Sequence, residues 1–128
     1  MIVGLLQEQI IEILPLLMPH LKAMVDDDEE VEELVLGGMR GNYQFFIFDN
    51  FSTLCITRVW EDGDERVLEL THLQGNCGRE GLRELDGLVQ EMQKHCGAGR
   101  VECLTERKIG RLLKSVGGQH AHGDTWRR

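Results

Sequence analysis

The sequence predicts an α/β (α+β) fold: a mixed sheet with helices on both faces. Three observations carry this. The hydrophobic period changes from helical to alternating after Gly41. Two alternating segments then flank the turn signal Glu61-Asp62-Gly63-Asp64. Between Arg66 and Leu104 a strand, a glycine-rich loop, an amphipathic helix and a second strand follow in order. An antiparallel meander followed by a β-α-β crossover can bury its apolar faces only as a layered sheet covered by helices. At 128 residues the chain reads as one domain, 1–128,.

Residues 1–27 read as an N-terminal helical segment. Leu6, Ile10, Ile13, Leu14, Leu17, Leu21 and Met24 recur at helical spacing. Pro15 and Pro19 each remove a backbone donor, so this is two short helices or a kinked one,. A further helix runs from Asp28 to Met39, with Val31, Leu34, Val35 and Met39 inward. Gly37, Gly38 and Gly41 mark its end,.

Tyr43 to Phe48 is aromatic and apolar enough for a strand, and Asp49-Asn50 reads as a turn,. Thr53 to Trp60 alternates, with Leu54, Ile56 and Trp60 on one side and Cys55, Thr57 and Val59 on the other. After the hairpin turn, Arg66 to Leu73 alternates again,. Leu68 and Leu70 share one face, and Val67, Glu69, Thr71 and Leu73 the other. Strict alternation therefore sets His72 on the face opposite Glu69.

Gly75, Gly78 and Gly81 punctuate the next loop. Leu82, Leu85, Leu88, Val89 and Met92 then form one face of a helix that Gly97 and Gly99 end,. Val101 to Leu104 is a short strand. Thr105 caps a last helix carrying Ile109, Leu112, Leu113 and Val116, closed by Gly117,. Residues 119–128 read as a short strand or a frayed tail.

Charge and cysteine content exclude several functions. Lys and Arg number 14 against 22 Asp and Glu, and seven of those acids lie between Asp26 and Glu33. No broad basic surface is available to a phosphate backbone, so nucleic acid is not an expected partner. The acidic run reads best as a solvated loop entering a helix N-terminus, although it can also attract a basic partner. No uncharged apolar run reaches the roughly 20 residues that span a bilayer, so no membrane segment is expected. Cys55, Cys77, Cys96 and Cys103 match no zinc-finger spacing, and His120-x-His122 supplies too few ligands; no metal is expected,. The expected setting is the cytoplasm, with reduced thiols.

The order of elements resembles the GNAT (Gcn5-related N-acetyltransferase) superfamily. Three segments carry the resemblance: the strand Arg66-Val-Leu-Glu-Leu-Thr-His-Leu73, the loop and helix from Gln74 through Gly81 to Met92, and the strand and helix from Arg100 to Gly118. The resemblance implies acetyl transfer from acetyl-CoA, as co-substrate, to an amine. It also implies that Leu73, Gln74, Gly75, Gly78, Arg79, Gly81 and Leu82 hold the CoA diphosphate. The physics of such a loop agrees, because peptide N–H groups at a helix start are unpaired and glycine lets them approach an anion.

The chain departs from the family pattern at several points. Cys77 or Glu80 falls where the motif has a small residue, depending on the register, and Gly118 stands where an aromatic is usual. No Tyr follows the last helix, no first strand is legible, and most of the family's C-terminal hairpin is missing. These departures motivate the alternative, a non-catalytic GNAT-like structural or assembly protein of a bacteriophage. It would act through a protein partner. A homodimer is compatible with either reading.

Two residues are the catalytic candidates. Glu69 lies on the strand whose glutamate often serves as base in the family; its structural alternative is a solvent-facing carboxylate. His72 has an imidazole able to take a proton near neutral pH, its alternative being a structural histidine. Cys77 at a helix start is a weaker nucleophile candidate, with no His fixed beside it.

Overall fold

The computed structural model describes residues 1–104, 119–122 and 125–127. The last helix expected after Thr105, with Ile109, Leu112, Leu113, Val116 and Gly117, lies outside the described residues. Among the described residues seven strands form one sheet in the order β1-β2-β3-β4-β5-β7-β6.

The chain opens with a strand, not a helix. β1 (Ile2–Gly4) pairs antiparallel with β2 (Gln44–Phe48), Ile2 opposite Phe48. Three residues are too few for a period to be read, which is why the sequence reading missed this strand. Two helices follow, as the prolines require. α1 (Gln7–Glu12) and α2 (Leu14–Met24) break at Ile13, and Pro15 sits in the first turn of α2, where its missing donor costs nothing,. Pro19 lies inside α2 and removes one helical bond,.

α3 (Asp28–Met39) has the expected bounds. Asp27 caps it, its side chain accepting the Glu29 N–H at 2.9 Å, and Asp28, Glu29 and Glu30 complement the helix dipole,. The acidic run therefore does what a helix start asks of it. Two expectations here are corrected. Met39 is exposed, and Gly37 and Gly38 are buried within the helix rather than ending it. A Cβ on Gly37 would lie 2.3 Å from the Tyr43 ring, and one on Gly38 2.9 Å from Phe45. These glycines let α3 lie close against β2.

β3 (Thr53–Asp62) and β4 (Glu65–Gly75) form the long hairpin, turning at Gly63, whose φ is 62°. α4 (Gly78–Cys96) crosses over, and β5 (Arg100–Leu104) returns parallel to β4. Two further strands follow: β7 (Thr125–Arg127) pairs with β5, and β6 (Gln119–His122) with β7. The expectation that most of a C-terminal hairpin is missing is corrected by this β6–β7 pair.

Two cores flank the sheet. Phe48, Cys55, Leu68, Leu70, Leu82, Leu85 and Val89 are buried on the α4 side. Ile10, Leu17, Leu21, Val31, Leu34, Phe45, Leu54 and Ile56 are buried on the side of α1 to α3. Burial of this many large aliphatic side chains, each contributing about 1.5–3 kcal/mol, holds both helical layers to the sheet.

Candidate functional site

The central feature is a bulge in β4. Ile56 pairs with His72 and Thr57 with Leu70, so Thr71 has no partner opposite it on β3. Its hydroxyl donates to the Ile56 carbonyl at 3.0 Å and fills that gap. A bulge resets the alternation of side chains. Leu73 accordingly joins Leu68 and Leu70 against the α4-side core, correcting the face expected for it. His72 turns to the α1–α3 side with its partner Ile56, the same side as Glu69, so the two candidates share a face.

The bulge also stands where β4 leaves β5. The parallel ladder runs from Val67–Arg100 to Leu70–Cys103 and stops. From Thr71 to Gly75, β4 has β3 on one edge and, among the described residues, no strand on the other. Its backbone N–H and C=O groups on that edge have no strand partner among the described residues.

Glu69 is a partly sheltered carboxylate, its side chain 13% exposed, and Arg58 Nε holds it at 2.7 Å. The Arg58 guanidinium is held more firmly protonated by that hydrogen bond, and it lies 5.8 Å from the Trp60 ring centroid,. Tyr43, distant in sequence, stands close enough to Arg58 to raise it further. An open groove of about 450 Å³ runs along Gly41 to Gln44 and Arg58 to Trp60. On β5, Glu102 lies beside Glu69 in the parallel register, and Arg100 Nε reaches Glu102 at 2.9 Å. Arg100 also ties down Asp62 at 2.9 Å and Glu65 at 3.1 Å, clamping the hairpin tip to β5.

His72 is half-buried, and that burial lowers its pKa from the ordinary 6.5, with Glu69 opposing in part,. Its Nδ1 lies 2.9 Å from Thr71 Oγ1. Gln74 bonds to the layer of helices beside it. Its side chain meets His20 Nδ1 of α2, and His20 Nε2 donates to the Phe51 carbonyl at 2.6 Å. Gln74 thus fastens β4 to α2.

The loop into α4 carries two glycines with positive φ. Gly75 (φ 119°) and Gly78 (φ 68°) both adopt backbone conformations suited to glycine,. At Gly75 packing also demands it, since a Cβ would lie 2.1 Å from the Ser52 carbonyl oxygen. A Cβ on Gly81 would lie 2.4 Å from that of Cys77, so Gly81 makes room for the thiol. Among the described residues no group accepts the N–H of Gly78, Arg79 or Glu80; the first bond back is Gly81 N–H to Cys77 O at 3.2 Å. These three residues are exposed. Leu82 lies deeper, its side chain in the α4-side core. Arg79 brings a cation to this helix start and Glu80 an opposing carboxylate.

Burial pushes the Cys77 thiol up, which disfavours the thiolate a nucleophile needs,. Cys103 is pushed up to about 12 and Cys55 is raised as well, both by burial. The described residues hold no cluster of three or more metal-ligating side chains, and no helix among them is long and apolar enough to cross a membrane.

Sequence reasoning missed Thr71, Arg58, Glu102 and His20 as parts of this site. Arg58 had a signal. Counting back from the turn at Gly63-Asp64 places it opposite Glu69. Glu102 and His20 had none, because a crossover and a helix packing carry no count between strands.

No protein-family model and no curated protein sequence matches the chain. Solved structures do. A probable acetyltransferase superposes with a TM-score of 0.72 at 15% identity, over 95% of this chain and 91% of the other. An aminoglycoside acetyltransferase from an uncultured soil metagenomic sample, in complex with trehalose, gives 0.67 at 14% identity, over 96% and 93%. A GNAT-family acetyltransferase from Listeria monocytogenes gives 0.57 at 11% identity, over 98% and 92%. The chain has the fold of the GNAT acetyltransferases across nearly its whole length.

Proposed function

We propose that this GNAT-fold protein transfers an acetyl group from acetyl-CoA to an amine. The observation that carries the reading is the coincidence of two features at one end of β4. Thr71 to Gly75 leaves β5, and the same segment runs into a helix start with three exposed, unpaired N–H groups. A β4 edge without a strand partner among the described residues suits the amide-bearing arm of CoA. Unpaired helix N–H groups suit its diphosphate. Gly78 and Arg79 are the strongest ligands by this reading, with Gly75 and Gly81 shaping the loop and Leu73 and Leu82 anchoring its two ends. Gln74 serves by positioning β4 through His20.

The chemistry assigns His72 as base. The acceptor ammonium gives up a proton to the neutral imidazole, the free amine attacks the thioester carbonyl, and the C–S bond breaks to release the CoA thiolate. Glu69, already paired with Arg58, shapes the field around His72 rather than taking the proton itself. α1 to α3 lie on the same side of the sheet as Glu69 and His72, and the acids at the start of α3 favour a cationic small-molecule acceptor over nucleic acid.

Calorimetry with CoA and acetyl-CoA tests the reading. Binding that Gly78→Val weakens by at least tenfold, together with thiol release in the presence of an amine, supports it. Absence of heat and of a melting shift at millimolar ligand defeats it and leaves the non-catalytic alternative, acting through a protein partner.

A further inference from the structure

We propose that Thr71 is a positioning residue that fixes the tautomer of His72, placing the ring proton on Nδ1 and leaving the Nε2 lone pair free. This rests on the reading of His72 as base and deepens it. Hydrogen-bond direction decides the tautomer. A threonine hydroxyl has a single proton. Thr71 Oγ1 spends that proton on the Ile56 carbonyl, 3.0 Å away, and a carbonyl can only accept. Toward its other neighbour, His72 Nδ1 at 2.9 Å, the hydroxyl has only lone pairs left. A neutral His72 must therefore donate from Nδ1, and Nε2 is its proton acceptor.

The bulge makes this arrangement possible. In a regular ladder Thr71 would stand opposite a β3 residue and point to the face away from His72. As the extra residue of β4, it reaches the carbonyl of Ile56, the partner of His72, while remaining beside the imidazole. One irregularity thus turns His72 onto the face of Glu69 and sets which nitrogen is basic. Glu69 adds a negative charge on that face and Arg58 offsets it.

Nitrogen-15 and carbon-13 NMR of the histidine side chains tests the assignment on the intact protein, assigned by comparison with His72→Gln. At a pH where His72 is neutral, the wild type should show a protonated Nδ1 and an unprotonated Nε2. Thr71→Val should move the proton to Nε2, the form that imidazole prefers in water, and Thr71→Ser should restore Nδ1. In the transferase assay Thr71→Val should lower kcat by about 10²-fold with the KM for acetyl-CoA unchanged, and Thr71→Ser should recover most of the loss. A wild-type His72 protonated on Nε2, or a tautomer unmoved by Thr71→Val, overturns the proposal. The spectra report on Thr71 whether or not the protein turns over acetyl-CoA, so failure of the transferase reading is separately visible.

Discussion

Glu69 and Glu102 stand side by side on neighbouring parallel strands, each held by its own guanidinium: Arg58 at 2.7 Å from Glu69 and Arg100 at 2.9 Å from Glu102. Two carboxylates this close repel unless each is neutralised, so the arginines are part of the site's architecture. They also differ in freedom. Arg100 is 19% exposed and bound to three acids, whereas Arg58 is 42% exposed and bound to one.

Removing the Arg58 charge should therefore unbalance the pair. Arg58→Met keeps the apolar stem against Trp60 and leaves Glu69 without its cation beside Glu102. Stability at pH 7 should fall by about 1–2 kcal/mol in urea unfolding, the lower end reflecting solvent screening of the exposed half of Arg58. Adding Glu69→Gln should recover part of the loss. A double-mutant cycle with a coupling near zero would show that the bond stabilises nothing.

Two helical glycines should respond in opposite directions to the same substitution. Gly37→Ala drives a methyl into the Tyr43 ring and should cost about 1–3 kcal/mol, because α3 and β2 must part,. Gly87 lies exposed within α4, and a Cβ there meets nothing within 4 Å. Gly87→Ala should stabilise by about 0.5–1 kcal/mol through helix propensity alone. Thermal melting of the two variants reads the contrast, and a rise in Tm for Gly37→Ala would mean that the close approach of α3 is not required.

These glycines show where the sequence was legible and where it was not. Strand alternation, the Gly63 turn and the amphipathic α4 act over a few neighbouring residues, so the meander, the crossover and both helical layers could be read. Gly37-Gly38 was read as a helix end because glycine has low helical propensity. The close contacts with Tyr43 and Phe45 override that preference and come from another part of the chain,. The loop before α4 was legible as a helix start because glycine spacing is local. The bulge at Thr71 was not, since nothing in Leu70-Thr71-His72 distinguishes a paired threonine from an extra one. From that one residue followed the errors over the faces of Leu73 and His72.

Stability should depend on pH through His72. Burial holds His72 below its ordinary 6.5, so the folded state resists protonation more than the unfolded chain does. Between the two pKa values the unfolded state binds more protons, and stability rises with pH there. Above 6.5 the imidazole is neutral in both states and nothing is lost. As pH falls below 6.5 the unfolded chain is protonated first and the fold weakens, down to the depressed pKa of the native state. Urea unfolding at pH 7.5 and at pH 5 should therefore show a larger acid loss for the wild type than for His72→Gln. The same group acting as base would give kcat/KM an acid limb whose midpoint lies below 6.5. Equal pH dependence of stability in the two proteins would mean that His72 is as solvated in the fold as in the open chain, removing the basis for a neutral, ready proton acceptor.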